Sequence, residues 1–332
     1  LWFFGVFQAP LGRVDRFLKA ARWLVYGAVP TAVVALGSLL LRWQPALMDG
    51  RVRLHFGHPN WLAGYLLLGA AVAWLLRRWP GPHSPMLWRG AALICVLGAA
   101  TGQSRNSVFT LLAIAATDAL LGRPLPRWCN RRLGWGLLLG LTAVGVWLWR
   151  SPEALASLRD LLDATLLSRE SNYDPAAVPT QRQNLWRLAL EWLGQSPIWG
   201  LGPGGFMERF VAQHHGLWIA HPHNFWLVTA VEYGIPAMLL LFGSLVWAVG
   251  PAVGQYVARV RSLRRADPAP LTPAAALVPS LTGLLVFNLV DDSVFCLQIN
   301  LPAWFLFTAA VGLSRVPVDA LTDTAGDDTV PR

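Results

Sequence analysis

Eight hydrophobic runs, at roughly 23–41, 60–76, 87–101, 105–121, 133–149, 223–249, 272–290 and 300–314, dominate this chain. Each is of the order needed to cross about 30 Å of hydrocarbon as a helix. A backbone in hydrocarbon has no water to bond, so such runs satisfy their N–H and C=O groups internally, as helices. The expected fold is all-α: a polytopic transmembrane helical bundle. Composition agrees. Of 332 residues, 55% are hydrophobic and 14% charged, where a soluble domain carries about a quarter charged, and the mean hydropathy is +0.44.

The placement of Lys and Arg sets orientation. With residues 1–22, 77–89, 122–132, 250–271 and the tail inside, those connections hold 17 of the 27 basic residues. The other ten are spread over longer stretches and mixed with acids such as Asp160, Asp163, Glu170 and Asp174. The net charge of +9 is therefore a positive-inside signature. The partner it implies is the lipid bilayer, and nucleic acid is not expected. Residues 1–149 form about five spans, 150–222 an outside loop, 223–314 about three spans, and 315–332 an inside tail expected to be disordered. The chain does not begin with Met, and LWFFGVFQAP reads as the end of a span, so a truncated N-terminus is expected. Cys95, Cys129 and Cys296 lie far apart and give neither a disulfide framework nor a metal-ligand spacing.

The long loop, 150–222, carries most of the functional signal. Loops of this length are usually functional or disordered, and this one is Trp-rich with helical periodicity. Leu185, Leu188, Trp192 and Leu193 fall near one face of a helix, with Arg182 placed on the opposite side. Pro197 ends that helix and GLGPGGF turns the chain. Gly200–Gly205 matches the dinucleotide-binding glycine pattern literally, but it follows a helix and contains a proline, so the strand–turn–helix context is absent. Two readings of the turn stay open, with Gly204 at its centre: a tight turn, or backbone N–H groups offered to a phosphate.

His221-Pro222-His223-Asn224 stands before the span that begins at Phe225. A residue before proline is pushed out of helix, which leaves His221 in the loop and His223 and Asn224 at the helix start. One reading is a capping Asn with interfacial histidines. The other makes His223 a general base, since an imidazole's ordinary pKa of about 6.5 suits proton abstraction near neutrality. Arg105 lies in a short outside turn, TGQSRNS, where it either snorkels to the interface or grips an anion with its forked guanidinium. Topology puts Arg105, Arg182 and His223 on one side of the membrane. Glu232, nine residues along, is a buried acid in need of a partner. Asp291-Asp292 are too little to indicate a metal site.

Four segments, in this order, resemble the O-antigen ligase/polymerase superfamily of bacterial membrane glycosyltransferases. FGHPNWLAGYLLL at 56–68 is similar to that family's "F-x-x-PN-x-LA-x-Y" span start, and TGQSRNSVFTLL to its "T-x-SR" turn. QRQNLWRLALEWLGQSPIWGLGPGGF resembles its loop motif, and HPHNFWLVTAVEYGIP its "HN-x-x-L-x-x-x-x-E-x-G-x-x-G" signature. The chain departs from the usual pattern at Asn106 and Pro236, where glycine is commoner.

The resemblance implies a GT-C-like fold in a bacterial inner membrane, with the loop and the active site facing the periplasm. It implies transfer of a glycan from a polyprenyl-pyrophosphate carrier to an acceptor hydroxyl, on lipid A-core or a similar glycolipid, with no cofactor and no metal. Arg105 and Arg182 would hold the pyrophosphate and His223 would take the acceptor's proton, with Asn224, His221, Glu232 and Gly204 in support. Two alternatives remain: a polymerase of the same family, or an inorganic-carbon (bicarbonate) transport protein. For transport, the acids within spans are Glu232 and Asp118.

Overall fold

The computed structural model describes residues 13–48, 50–56, 58–79, 83–122, 182–213, 222–263, 265, 268–289 and 297–316. The expected span at 133–149, the loop up to residue 181, His221 and Asp291-Asp292 lie outside the described residues. The described chain is helical apart from short connections: α1 Val14–Leu40, α2 Pro59–Leu76, α3 Pro85–Ala100, α4 Arg105–Gly122, α5 Arg182–Gln195, α6 Gly205–Gln213, α7 Phe225–Ser262, α8 Pro273–Leu289 and α9 Leu297–Leu313. The exception is a small antiparallel hairpin between α1 and α2, β1 Leu47–Met48 and β2 Arg51–Val52, with Leu47 opposite Val52. The fold is that of an all-α polytopic protein. Among the described residues α1, α2 and α7 are long and apolar enough to cross a membrane, and α3, α4, α8 and α9 are shorter apolar helices.

Helix α2 is the axis of the bundle. It is apolar on every face and touches α1, α3, α4, α8 and α9, as expected of a helix with no polar side to turn outward. Small residues set how closely its neighbours approach. Ala28, Ala32 and Ala35 of α1 repeat at helical spacing, and a Cβ on Gly69 of α2 or Gly98 of α3 would collide with Ala28 or Ala32. Close approach over small residues is how apolar helices gain packing energy where lipid is as apolar as Leu.

Two helices outrun their hydrophobic cores. Helix α1 begins nine residues before the run at 23, because Phe17, Leu18 and Ala21 are buried while Arg16 and Lys19 stay exposed. Helix α7 continues past Pro251 to Ser262. Ala252 is buried, the Tyr256 hydroxyl donates to the Thr117 carbonyl (2.9 Å) and the Gln255 amide to that of Ser314 (2.9 Å).

The two ends of the bundle differ. At one end the Asp118 carboxylate of α4 receives the Arg78 guanidinium (2.6 Å), that of Arg77 (3.2 Å) and the Trp74 indole N–H (2.7 Å). At the other end lie the hairpin, the starts of α2, α4 and α7, and the last turn of α8. That end also carries the residues singled out in the sequence at the starts of α4 and α7.

Candidate functional site

The hairpin end is assembled by side chains that reach across to backbone. Asn106, directly after Arg105, is buried and donates its amide to the Phe287 carbonyl (2.6 Å). Asn224, directly after His223, donates to the Leu289 carbonyl (2.9 Å) and accepts the Leu227 N–H (2.9 Å), capping α7. The last turn of α8 thus holds the start of α4 and the start of α7 through carbonyls two residues apart. These are the groups a helix C-terminus leaves without intrahelical donors.

Helix α5 reaches the same place. The Trp186 indole N–H donates to the Pro222 carbonyl (2.8 Å), one residue before His223. Arg182 is the first residue of α5, one turn before Trp186 and two before the buried Ala189. The apolar stripe of α5 is as expected. Leu185 and Trp192 are buried with Phe206 and Phe210 of α6 and Val231 of α7, and Leu188 and Leu193 pack at the edge. Three buried aromatic rings, at roughly 2–3 kcal/mol each, hold these loop helices on α7.

His223 sits at φ 54°, a left-handed conformation uncommon outside glycine, in which histidine is enriched. This turn separates it from the helix that Asn224 caps. Its ring lies 6.3 Å, centroid to centroid, from that of His58. His58 in turn caps α2: its Nδ1 accepts the Asn60 N–H (3.2 Å).

Arg51 on β2 ties the remaining pieces. Its guanidinium donates to the Gly102 carbonyl (2.7 Å) and to Oδ1 of Asn60 (2.6 Å), and the neighbouring Val52 N–H donates to the Thr101 carbonyl (3.2 Å). One side chain therefore joins the start of α2 to the turn that delivers Arg105. Sequence reasoning counted Arg51 only as one of three outside basic residues in 42–59 and passed over His58. The available signal was their proximity in sequence to the PN pair.

The glycine-rich turn resolves as a structural lock. Gly234 breaks α7 at φ 86°, ψ 162°, freeing carbonyls just before it. Leu201 N–H donates to Val231 (2.8 Å), Gly202 N–H to Glu232 (2.9 Å), and Ile235 N–H to Pro197 (2.8 Å). The buried Glu232 carboxylate accepts the backbone N–H groups of Gly204 and Phe206 at the start of α6. A carboxylate at a helix N-terminus meets both unpaired donors and the positive end of the helix dipole. Here the turn's N–H groups serve Glu232, and Gly204 belongs to this lock together with Glu232. Among the described residues, no group of three or more His, Cys, Asp or Glu could hold a metal ion.

Residues 60–242 match a family model described as O-antigen ligase. The search of curated proteins finds no match.

Proposed function

Because this chain belongs to the O-antigen ligase family, we propose that it transfers a glycan from a polyprenyl-pyrophosphate carrier to an acceptor hydroxyl at the hairpin end of the bundle, facing the periplasm of a bacterial inner membrane. His223 takes the acceptor's proton as the hydroxyl oxygen attacks the anomeric carbon. The bond from that carbon to the pyrophosphate breaks, and the carrier leaves with the electron pair. Arg105 and Arg182 hold the pyrophosphate and neutralise the charge that develops on it. A single displacement of this kind inverts the anomeric centre.

The observation that carries this reading is the shared anchorage of Asn106 and Asn224 on the last turn of α8, with Trp186 fastening α5 to Pro222. The backbone segments bearing the three assigned residues are held to one end by direct bonds. Positioned groups of this kind turn a bimolecular reaction into an effectively unimolecular one. A groove between α7 and α9, lined by Phe225, Thr229, Tyr233 and Trp304, runs down from the turn that bears His223. It offers the carrier's hydrocarbon chain a path beside its head group.

The test is transfer by the reconstituted full-length protein, with a carrier-linked glycan as donor and lipid A-core as acceptor. Transfer by wild type but not by a folded His223→Ala variant supports ligation and the assigned base. Lengthened carrier-linked glycan with no transfer to lipid A-core makes the protein a polymerase. Neither product, from correctly inserted protein, removes the reading.

A further inference from the structure

Helix α7 does not run straight. The rings of Trp226 and Phe242 lie 5.4 Å apart, although an unbroken helix would separate those positions by about 24 Å. The break at Gly234 therefore folds the first arm, 225–233, back beside the second. Past the bend no charged residue occurs before Arg259. Counted back from Arg259 at roughly 1.5 Å per residue, about 30 Å of hydrocarbon ends near Leu239, and the bend lies about 7 Å beyond, within the headgroup layer.

The turn between α5 and α6 sits on this bend. The Ile235 N–H donates to the Pro197 carbonyl (2.8 Å), and a Cβ on Gly234 would strike the Ile198 carbonyl. Leu201 and Phe206 face the packed core of the loop helices, but Trp199 is 84% exposed and Ile198 58%. Tyr233 and Ile235, flanking Gly234, are exposed as well, as are Leu239 and Leu240 farther along the second arm. Single exposed apolar residues are ordinary, whereas a run of them continuous with a membrane-spanning surface calls for an apolar partner.

We infer that Ile198 and Trp199 are a lipid anchor that seats the α5–α6 turn in the headgroup layer of the bilayer. The partner is phospholipid, and continuity with the apolar face of α7 selects it over a soluble protein. Tryptophan suits this depth, because its ring is apolar while its indole N–H finds water or headgroup oxygens. The chain is uncharged from the turn back to Glu191 on α5 and on to Glu208 on α6, as a segment lying against lipid requires. Fastened through Gly234 to α7, the loop helices ride on the membrane surface. This seating is independent of the reaction the chain performs.

Spin-label accessibility in vesicles measures the depth. Cys129 and Cys296 are replaced by serine in the full-length protein; Cys95 is buried and stays, and the protein without an added cysteine gives the background. Trp199→Cys, Glu191→Cys and Trp247→Cys are labelled separately with a nitroxide and reconstituted in phosphatidylethanolamine–phosphatidylglycerol vesicles. Each is exposed to oxygen, which concentrates in hydrocarbon, and to a water-soluble nickel chelate. Glu191, exposed on α5, is the water reference, and Trp247, exposed on the second arm, the hydrocarbon reference. The ratio of oxygen to nickel relaxation at position 199 is expected to be severalfold above that at 191 and below that at 247. A ratio equal to that at 191 puts the turn in water and overturns the anchor. Shielding from both reagents puts the residue under protein and overturns it too. A ratio at or above that at 247 places the turn in hydrocarbon and overturns the headgroup seating. Ile198→Cys repeats the reading one residue away, so the outcome does not hang on a single variant.

Discussion

Gly200 lies against Gly234 with no space between their backbones: a Cβ on Gly200 would come within 2.7 Å of the Gly234 nitrogen. Both residues have positive φ, 70° and 86°, and Gly234 occupies a region that glycine alone populates readily. The glycines of the turn and the break in α7 are therefore two halves of one contact. Gly234→Ala is expected to cost about 3 kcal/mol or more, from strain and collision together. Thermal unfolding of purified protein, with proteolysis mapped to 182–213, measures it. An unchanged melting temperature and an unchanged cleavage pattern would refute the lock.

Glu232 gives a second test of the same lock. Glu232→Ala leaves the Gly204 and Phe206 N–H groups without their carboxylate, at a cost of about 1–3 kcal/mol for each buried donor. Glu232→Gln retains one carbonyl oxygen and should lose less. If the role is structural, Glu232→Gln still transfers glycan at a temperature where it is folded. A fully folded Glu232→Gln protein without activity would instead bring the carboxylate into the chemistry.

The arginine assignment predicts a different signature. Arg105→Ala and Arg182→Ala should each slow transfer by roughly 10²–10³-fold, the scale of losing one group that stabilises transition-state charge. Lysine should restore only part, since a point charge does not reproduce a forked contact with phosphate. Folding and insertion should be unaffected. A variant with ordinary donor turnover removes that arginine from the site.

The helices were legible because each apolar run both needs and permits helix, and the turn at Pro197 because proline and glycine leave the chain few alternatives. The need of Glu232 for a partner was legible too, but not the partner, since it is backbone contributed by a turn some thirty residues earlier. Asn106 shows the limit most plainly. Its amide bonds Phe287, 181 positions on, and no local pattern encodes a pairing at that distance. Arg51 is hidden for another reason: its reach depends on a hairpin of two residue pairs, too short to leave an alternation. Ala189 is hidden for a third reason: it is a small residue outside the leucine pattern, and the packing buries it as fully as Leu185.

Asn224 does two jobs that substitution can divide. Asn224→Asp keeps an oxygen for the Leu227 N–H, so the cap survives, but it cannot donate to Leu289. Asn224→Ala loses both, at about 1 kcal/mol for the cap and a comparable amount for the bond to α8. Both variants should lower kcat because His223 is held by this attachment. If Asn224→Asp has wild-type kcat, the bond to α8 does not position the base, and capping alone accounts for the residue.

Asp118 separates transfer from transport. Its carboxylate is only 13% exposed and is bonded to Arg77 and Arg78, at the end of the bundle away from His223. Removing one partner of a buried ion pair leaves charge uncompensated, so Asp118→Asn should cost about 3 kcal/mol. An ion path across the bundle would use acids at both ends, and the second acid, Glu232, is engaged by the backbone of α6. Glycan transfer requires neither acid to change its protonation. The expected outcome is a less stable Asp118→Asn protein that, once folded, transfers glycan at the wild-type rate. Loss of bicarbonate flux in vesicles on this substitution, with flux present in wild type, would favour the transporter.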